Sequence, residues 1–288
     1  KHCPLLLINK FSSLFFSKLT ITKNKLDALA EKLNRFLEKL NQSNIKLINL
    51  DKIIAVKGIE NCKKLKPSPY YNPKTSELIT PLNYEEHLEK LSECDWVVEA
   101  ISERLDWKQN LYKKIIPHLK DGAIVTSNTS GLSLSDLSDC MPDEFLKCFF
   151  ITHFFNPPRY MRLVEIIASD KTNKDMIKYT DNFLTNVLGK NVVHAKDTPN
   201  FIANRIGVYG MNVTLNEARA RNLSIEDVDA LTGTLIGRPK SATFRTADVV
   251  GLDTMCFVSK TAYDKCVDDP EREIFKLPDY ISKMVENN

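Results

Sequence analysis

Between residues 95 and 196 short apolar runs alternate with helical patterns, and that alternation leaves few folds open. Asp95–Ile101, Ala123–Asn128, Phe149–Phe155, Leu163–Ala168 and Asn191–Lys196 read as strands, each short, apolar and bounded by turn residues. Between them Trp107–Leu119, Leu132–Leu137 and Asp175–Leu188 carry the spacing of helices. Strands and helices in this rhythm indicate a doubly wound α/β sheet. After Asp197 the pattern changes. Pro199 stands where a first helical position is expected, and no strand pattern follows as far as Arg221. Ser224–Leu231 predicts a helix capped by Ser224 with Asp227 three residues later, and Asp253–Cys266 predicts another. The expected organisation is a doubly wound α/β domain over residues 1–197 and an all-α domain over residues 198–288.

Upstream, Leu5-Leu6-Leu7-Ile8 reads as a short buried strand. Thr22–Gln42 is an amphipathic helix, with Leu26, Leu29, Leu33, Leu37 and Leu40 on one face. The stretch from Lys63 to Pro81 holds four prolines and reads as a connector, with a short strand expected at Leu78-Ile79. The first of the nine glycines is Gly58, so no glycine-rich phosphate loop exists in the first 57 residues. The chain also opens on Lys1, which suggests processing or a piece of a longer protein.

The bulk numbers exclude several function classes. With 40 basic and 37 acidic residues the net charge is +3, too even for nucleic acid as the main partner. Lys63, Lys64 and Lys66 form a local cluster that suits either a phosphate-bearing ligand or plain solvation. The seven cysteines are scattered, odd in number and without C-x-x-C spacing. Free thiols in a reducing compartment follow, and no metal site. No apolar run approaches the ~18 residues of a membrane span.

Three segments carry the chemistry. Ser127-Asn128-Thr129-Ser130 follows an apolar strand, where α/β folds place ligand-contacting loops. Thr152-His153-Phe154-Phe155-Asn156-Pro157 ends a strand with a histidine, two aromatics and a proline stop. Leu163-Val164-Glu165-Ile166-Ile167 lies beyond the turn Asn156–Tyr160. If the two strands pair antiparallel about Arg159, His153 and Glu165 share a sheet face with Cβ atoms ~5 Å apart. A carboxylate there sets the imidazole tautomer and stabilises its protonated form. Against this stands the plain reading of a packed strand histidine. His2, His87, His118 and His194 lack such company and read as surface or packing residues.

These segments, with Pro199-Asn200-Phe201-Ile202-Ala203-Asn204-Arg205, resemble the successive motifs of the NAD-dependent 3-hydroxyacyl-CoA dehydrogenases, in order and in approximate spacing. Asp95–Glu103 is similar to that family's fourth-strand signature, and Val249–Thr254 to a late motif of its helical domain. Gly237–Thr246 resembles versions fused to an enoyl-CoA hydratase, which is absent from this chain. The resemblance covers residues 85 to 285 well. It implies oxidation of 3-hydroxyacyl-CoA by NAD in fatty-acid β-oxidation, with His153 as general base and Glu165 orienting it. It further implies Ser130 and Asn204 on the reacting oxygen, and Glu103, Lys108, Asn156 and Ser130 as cofactor contacts. Lys63 and Lys66 would meet the acyl-CoA substrate. The family opens with a strand and G-x-G-x-x-G, whose amides hold the pyrophosphate. Here that unit is missing and Leu5–Asn9 looks like the second strand, with Asn9 where an acidic residue should meet the adenosine ribose. Lys10 beside it suits a 2′-phosphate, yet the resemblance favours NAD. The expectation is a chain truncated at both ends and a weak NAD binder by itself. A homodimer through the helical domain is implied, in the cytoplasm or an organelle matrix. Two rival readings remain at this point: a dehydrogenase of a free 3-hydroxy acid, and a non-catalytic relative serving as a binding or oligomerisation module.

Overall fold

A computed structural model of the chain describes Leu6–Leu7 and residues 50–139 and 141–286. The expectations for Asn9, Lys10 and the helix over Thr22–Gln42 lie outside the described residues. In chain order the first elements are β1 (Leu6–Leu7), α1 (Leu50–Lys64), β2 (Trp96–Glu99), α2 (Leu105–Ile115) and β3 (Ile124–Ser127). There follow α3 (Leu134–Ser138), α4 (Asp143–Cys148), β4 (Phe149–Phe154), β5 (Leu163–Ile167), α5 (Lys174–Asn186) and β6 (Asn191–Ala195). The remainder is helical: α6 (Ala203–Ala220), α7 (Ile225–Thr232), α8 (Phe244–Val250), α9 (Leu252–Lys265) and α10 (Asp279–Glu286).

The chain divides into two compact units. The first comprises Lys1–Asn128, Cys140–Val164 and Asp170–Val192, and so holds β1 to β4 and the beginnings of β5 and β6. The six strands form one sheet in the order β1-β2-β3-β4-β5-β6. β1 to β4 are parallel, with Leu6 opposite Val97, Val97 opposite Val125, and Val125 opposite Phe149. β3 is buried throughout, so it reads as a continuous apolar run rather than an alternating one. Over the sheet Tyr112 and Phe145 pack on Phe149, with ring centroids 5.0 and 4.9 Å away. A polar line crosses the interior as well. The Trp96 indole N–H donates to the Thr126 hydroxyl at 2.9 Å, and the Thr152 hydroxyl donates to the same oxygen at 2.8 Å.

Of the expected Leu5–Asn9 strand, Leu6–Leu7 pairs in parallel with β2, and the rest of that run lies outside the described residues. One expectation fails here. Leu78-Ile79 is no strand: Leu78 ends a 3-10 turn over Pro73–Leu78, opened by Asn72, whose side chain accepts the Lys74 N–H at 2.9 Å.

The second unit comprises Thr129–Asp139, Glu165–Ser169 and Val193–Asn288. Its core has two clusters along α6: Val208 with Ala262, Cys266 and Phe275, and Leu215 with Ala247, Met255 and Ile281. Between them the fully buried Asn212 amide donates to Ser259 at 3.1 Å, so neither polar side chain is left unsatisfied. The expected capping box at Ser224 and Asp227 is present at the start of α7. The helix expected from Pro199 begins only at Ala203. Asn200 and Phe201 have φ of 61° and 50°, and left-handed residues cannot belong to a right-handed helix. α8 is opened by Asp229, whose carboxylate accepts the N–H groups of Thr243, Phe244 and Arg245 at 3.1, 2.7 and 3.1 Å. Gly251 separates α8 from α9 at φ +99°, and a Cβ there would lie 2.6 Å from Asp253 Oδ1. Among the described residues no helix is long and apolar enough to cross a membrane.

Candidate active site

In the first unit the polar groups gather where β2, β3 and β4 end. Glu99, the last residue of β2, is fully buried. Its Oε1 accepts the Ile101 N–H and the Lys108 ammonium, both at 2.6 Å. Its Oε2 accepts the hydroxyls of Tyr112 at 2.8 Å and Ser127 at 2.6 Å. Burial first, and the Glu99 charge second, push the Tyr112 phenol well above its ordinary range, so it stays a donor. Lys108 also donates to the Ile101 carbonyl at 3.3 Å and lies 3.6 Å from Glu103 Oε2. Its side chain is 1% exposed. The ammonium expected to meet the cofactor is therefore turned inward, while Glu103 keeps 23% of its side chain exposed. Ser127 opens one of the segments singled out in the sequence, but Glu99 and Tyr112 received no role there because an acid inside a Trp-Val-Val-Glu-Ala run reads as part of a strand.

The neighbouring strand ends are tied in the same way. Asn128 donates its N–H to the Glu99 carbonyl at 2.7 Å and accepts the Phe154 N–H on its side chain at 2.9 Å. His153 is buried near the end of β4, its ring 4.5 Å from that of Phe155. Asn156 is exposed in the turn that follows, and Lys190 holds that turn by donating to the Pro158 and Met161 carbonyls. From the same turn Arg159 donates to the carbonyls of Ser68 and Tyr70 at 2.8 and 2.6 Å, and the Tyr160 hydroxyl donates to Ser68 at 2.9 Å. These bonds bring the turn of Asn156 against the loop that follows Lys63 and Lys66. Both lysines are exposed, and Lys63 is engaged by Glu60 at 2.8 Å.

In the second unit the other expected residues converge. Glu165 is fully buried, and its Oε1 accepts the N–H groups of Ile202 and Ala203 at 3.0 and 2.8 Å. A carboxylate at a helix start satisfies orphan donors and meets the positive end of the helix. The next residue, Asn204, donates its side-chain amide to the Ser130 carbonyl at 3.5 Å. The Ser130 loop is fixed from its other side by Asp197, which accepts the N–H groups of Leu134 and Ser135 at 2.8 and 3.0 Å. Ser130, Glu165 and Asn204 thus surround one helix start. His153 belongs to the first unit, on β4.

Comparison with known proteins supplies the family. Residues 21–198 match the 3-hydroxyacyl-CoA dehydrogenase NAD binding domain, and residues 201–288 match the C-terminal domain of the same name. The chain belongs to the 3-hydroxyacyl-CoA dehydrogenase family. A probable 3-hydroxyacyl-CoA dehydrogenase of Bacillus subtilis is 49% identical over 223 residues, which cover 77% of this chain and 28% of that protein. One of Deinococcus radiodurans is 40% identical over 232 residues, covering 81% of this chain and 66% of its own length. The chain thus spans less than two thirds of either relative. Among solved structures, M. tuberculosis FadB2 is similar at a TM-score of 0.70 and 24% identity, over 84% of this chain and 82% of the other. (S)-3-hydroxybutyryl-CoA dehydrogenase PaaH1 from Ralstonia eutropha follows at 0.64 and 23%, over 93% and 83%. At those identities the two structures speak for the fold alone: a Rossmann-like parallel sheet followed by a helical domain, as expected from the sequence. In this 3-hydroxyacyl-CoA dehydrogenase family the matched domain is an NAD-binding one, so NAD is the cofactor of the fold.

Proposed function

We propose that the protein oxidises (S)-3-hydroxyacyl-CoA to 3-oxoacyl-CoA while NAD+ becomes NADH, as a step of fatty-acid β-oxidation. The observation that carries this reading is the assembly of Ser130, Glu165 and Asn204 about the start of α6. In the proposed division the NAD-binding domain spans residues 1–197 and the helical domain residues 198–288.

The described strand ends fit the nicotinamide half of the cofactor. Glu99, Ser127, Asn128 and His153 place polar groups at the carboxyl ends of a parallel sheet, where α/β folds receive ligands. When bound, NAD supplies the hydride acceptor. Glu103 and Asn156 hold it, with Lys108 acting behind Glu103 and Asn9 serving the adenosine ribose. His153 takes the proton of the 3-hydroxyl as general base. Glu165 orients the imidazole and stabilises its charged form. Asn204 and Ser130 hydrogen-bond the reacting oxygen. Lys63 and Lys66 meet the phosphates of coenzyme A. The free thiols of Cys62, Cys94, Cys148, Cys256 and Cys266 support a reducing compartment such as the cytoplasm. Exposed Leu235, Ile236, Val249 and Phe257 support a homodimer through the helical domain.

NADH formation from 3-hydroxybutyryl-CoA, followed by absorbance, tests the reading. Turnover is expected, and His153→Ala is expected to lower it by about two to four orders of magnitude, the usual worth of a general base. A chain that binds NAD and turns over no 3-hydroxyacyl-CoA of any length overturns it.

A further inference from the structure

We infer that Glu99, through Lys108, is the residue that positions the cofactor-binding segment after β2; this rests on the NAD-dependent reading above. Four donors converge on a carboxylate with no exposed surface: Ile101 N–H, Lys108 Nζ, Tyr112 Oη and Ser127 Oγ, all within 2.8 Å. They come from three elements: the segment after β2, helix α2 and the end of β3. The segment itself is held at both polar groups of one residue. Ile101 gives its N–H to Glu99 and receives Lys108 on its carbonyl. Two residues further on stands Glu103, 3.6 Å from the same ammonium and partly open to solvent. The order of forces is therefore Glu99, Lys108, Glu103, ligand.

Stability alone does not account for this arrangement. Desolvating a carboxylate and an ammonium costs as much as their attraction returns, and apolar replacements of buried ion pairs are often neutral or stabilising. What such a pair does supply is a fixed geometry, because four donors from three elements meet on one carboxylate. Its place is also informative. Glu99 and Ser127 are the last residues of adjacent parallel strands, at the edge that receives ligands in this class of sheet. Had Lys108 met the cofactor by its charge, the ammonium would be exposed; it is 1% exposed. Its effect on the ligand passes through Glu103 and the Ile101 backbone.

The test is the double variant Glu99→Gln with Lys108→Met on the full chain. Gln keeps the shape and an acceptor oxygen, and Met removes the ammonium that would be left unpaired. The thermal midpoint is expected to stay within a few degrees of the wild type. NAD affinity by titration calorimetry is expected to fall by about tenfold or more, the order of one lost charge-assisted hydrogen bond. Amide hydrogen exchange across residues 101–104 should quicken, while exchange in β4 stays unchanged. A folded double variant that binds NAD as the wild type does overturns the proposal. If the double variant does not fold, Tyr112→Phe decides, since it removes one donor to Glu99 without changing volume. It should speed exchange of residues 101–104 and weaken NAD, and unchanged values overturn the proposal. A wild-type chain that binds no NAD overturns the functional reading itself, and this inference with it.

Discussion

Glu165 shows how a single side chain acquires a second task once the chain is folded. Read along the sequence, it is the partner of His153. In the structure its Oε1 holds the N–H groups of Ile202 and Ala203, and so fixes the helix start that presents Asn204. A few residues on, Arg205 pairs with Asp269, whose other oxygen accepts the Glu271 N–H at 3.0 Å. The Arg205 hydrogen bond, ahead of that backbone bond, holds the Asp269 carboxyl below its ordinary value of 3.8. A carboxyl depressed in the folded state adds stability above its unfolded value and loses it as pH falls through the folded one. Asp269→Asn is therefore expected to lower the thermal midpoint at neutral pH and to make little difference in strong acid. Equal deficits at both pH values would show that Asp269 acts without its charge.

Helix ends decide where the chemistry-bearing loops stand. α3 has its first amides closed by Asp197 and by Ser133, whose hydroxyl accepts the Asp136 N–H at 3.0 Å. Ser130 lies just ahead of that helix, so Asp197 anchors the loop as well as the helix. Asp197→Ala is expected to destabilise the fold by about 1 kcal/mol, the usual worth of a lost N-cap, in denaturant unfolding. It should also raise KM for the acyl-CoA more than KM for NAD, since Ser130 is proposed to meet the former. A stability loss with both constants unmoved would confine Asp197 to a capping role. α7 offers the control: Ser224→Ala removes half of a capping box and should cost a similar amount without touching either constant. These caps also mark the limit of pattern reading. Ser224 with Asp227 is legible because both partners lie within one turn. Asp197 with Leu134 and Asp229 with Phe244 are not, because cap and helix are 63 and 15 residues apart.

For the assembled protein, the proposed homodimer makes a direct prediction. Leu235 and Val249 are 73% and 72% exposed in the helical unit. Leu235→Glu with Val249→Glu should convert a dimer to a monomer in light scattering, while dimers that persist would place the interface elsewhere. Most of the architecture was legible from short-range pattern. Apolar runs at strand length, helical spacing and the Ser224 cap depend on neighbours along the chain, so β2 to β6, α2, α5, α7 and α9 stand close to where the pattern puts them. The histidine, the glutamate and the two asparagine-bearing motifs were legible as a family resemblance in the right order. Long-range pairing was not. Which strand Leu6–Leu7 lies beside is set by pairing across the sheet. The inward turn of Lys108 depends on a carboxylate nine residues back and on the depth of burial around both. The start of α6 depends on Glu165, 37 residues away. Periodicity records which face of an element is apolar. It carries no trace of which buried charge meets which, since that is set by distances that exist only after the chain has closed on itself.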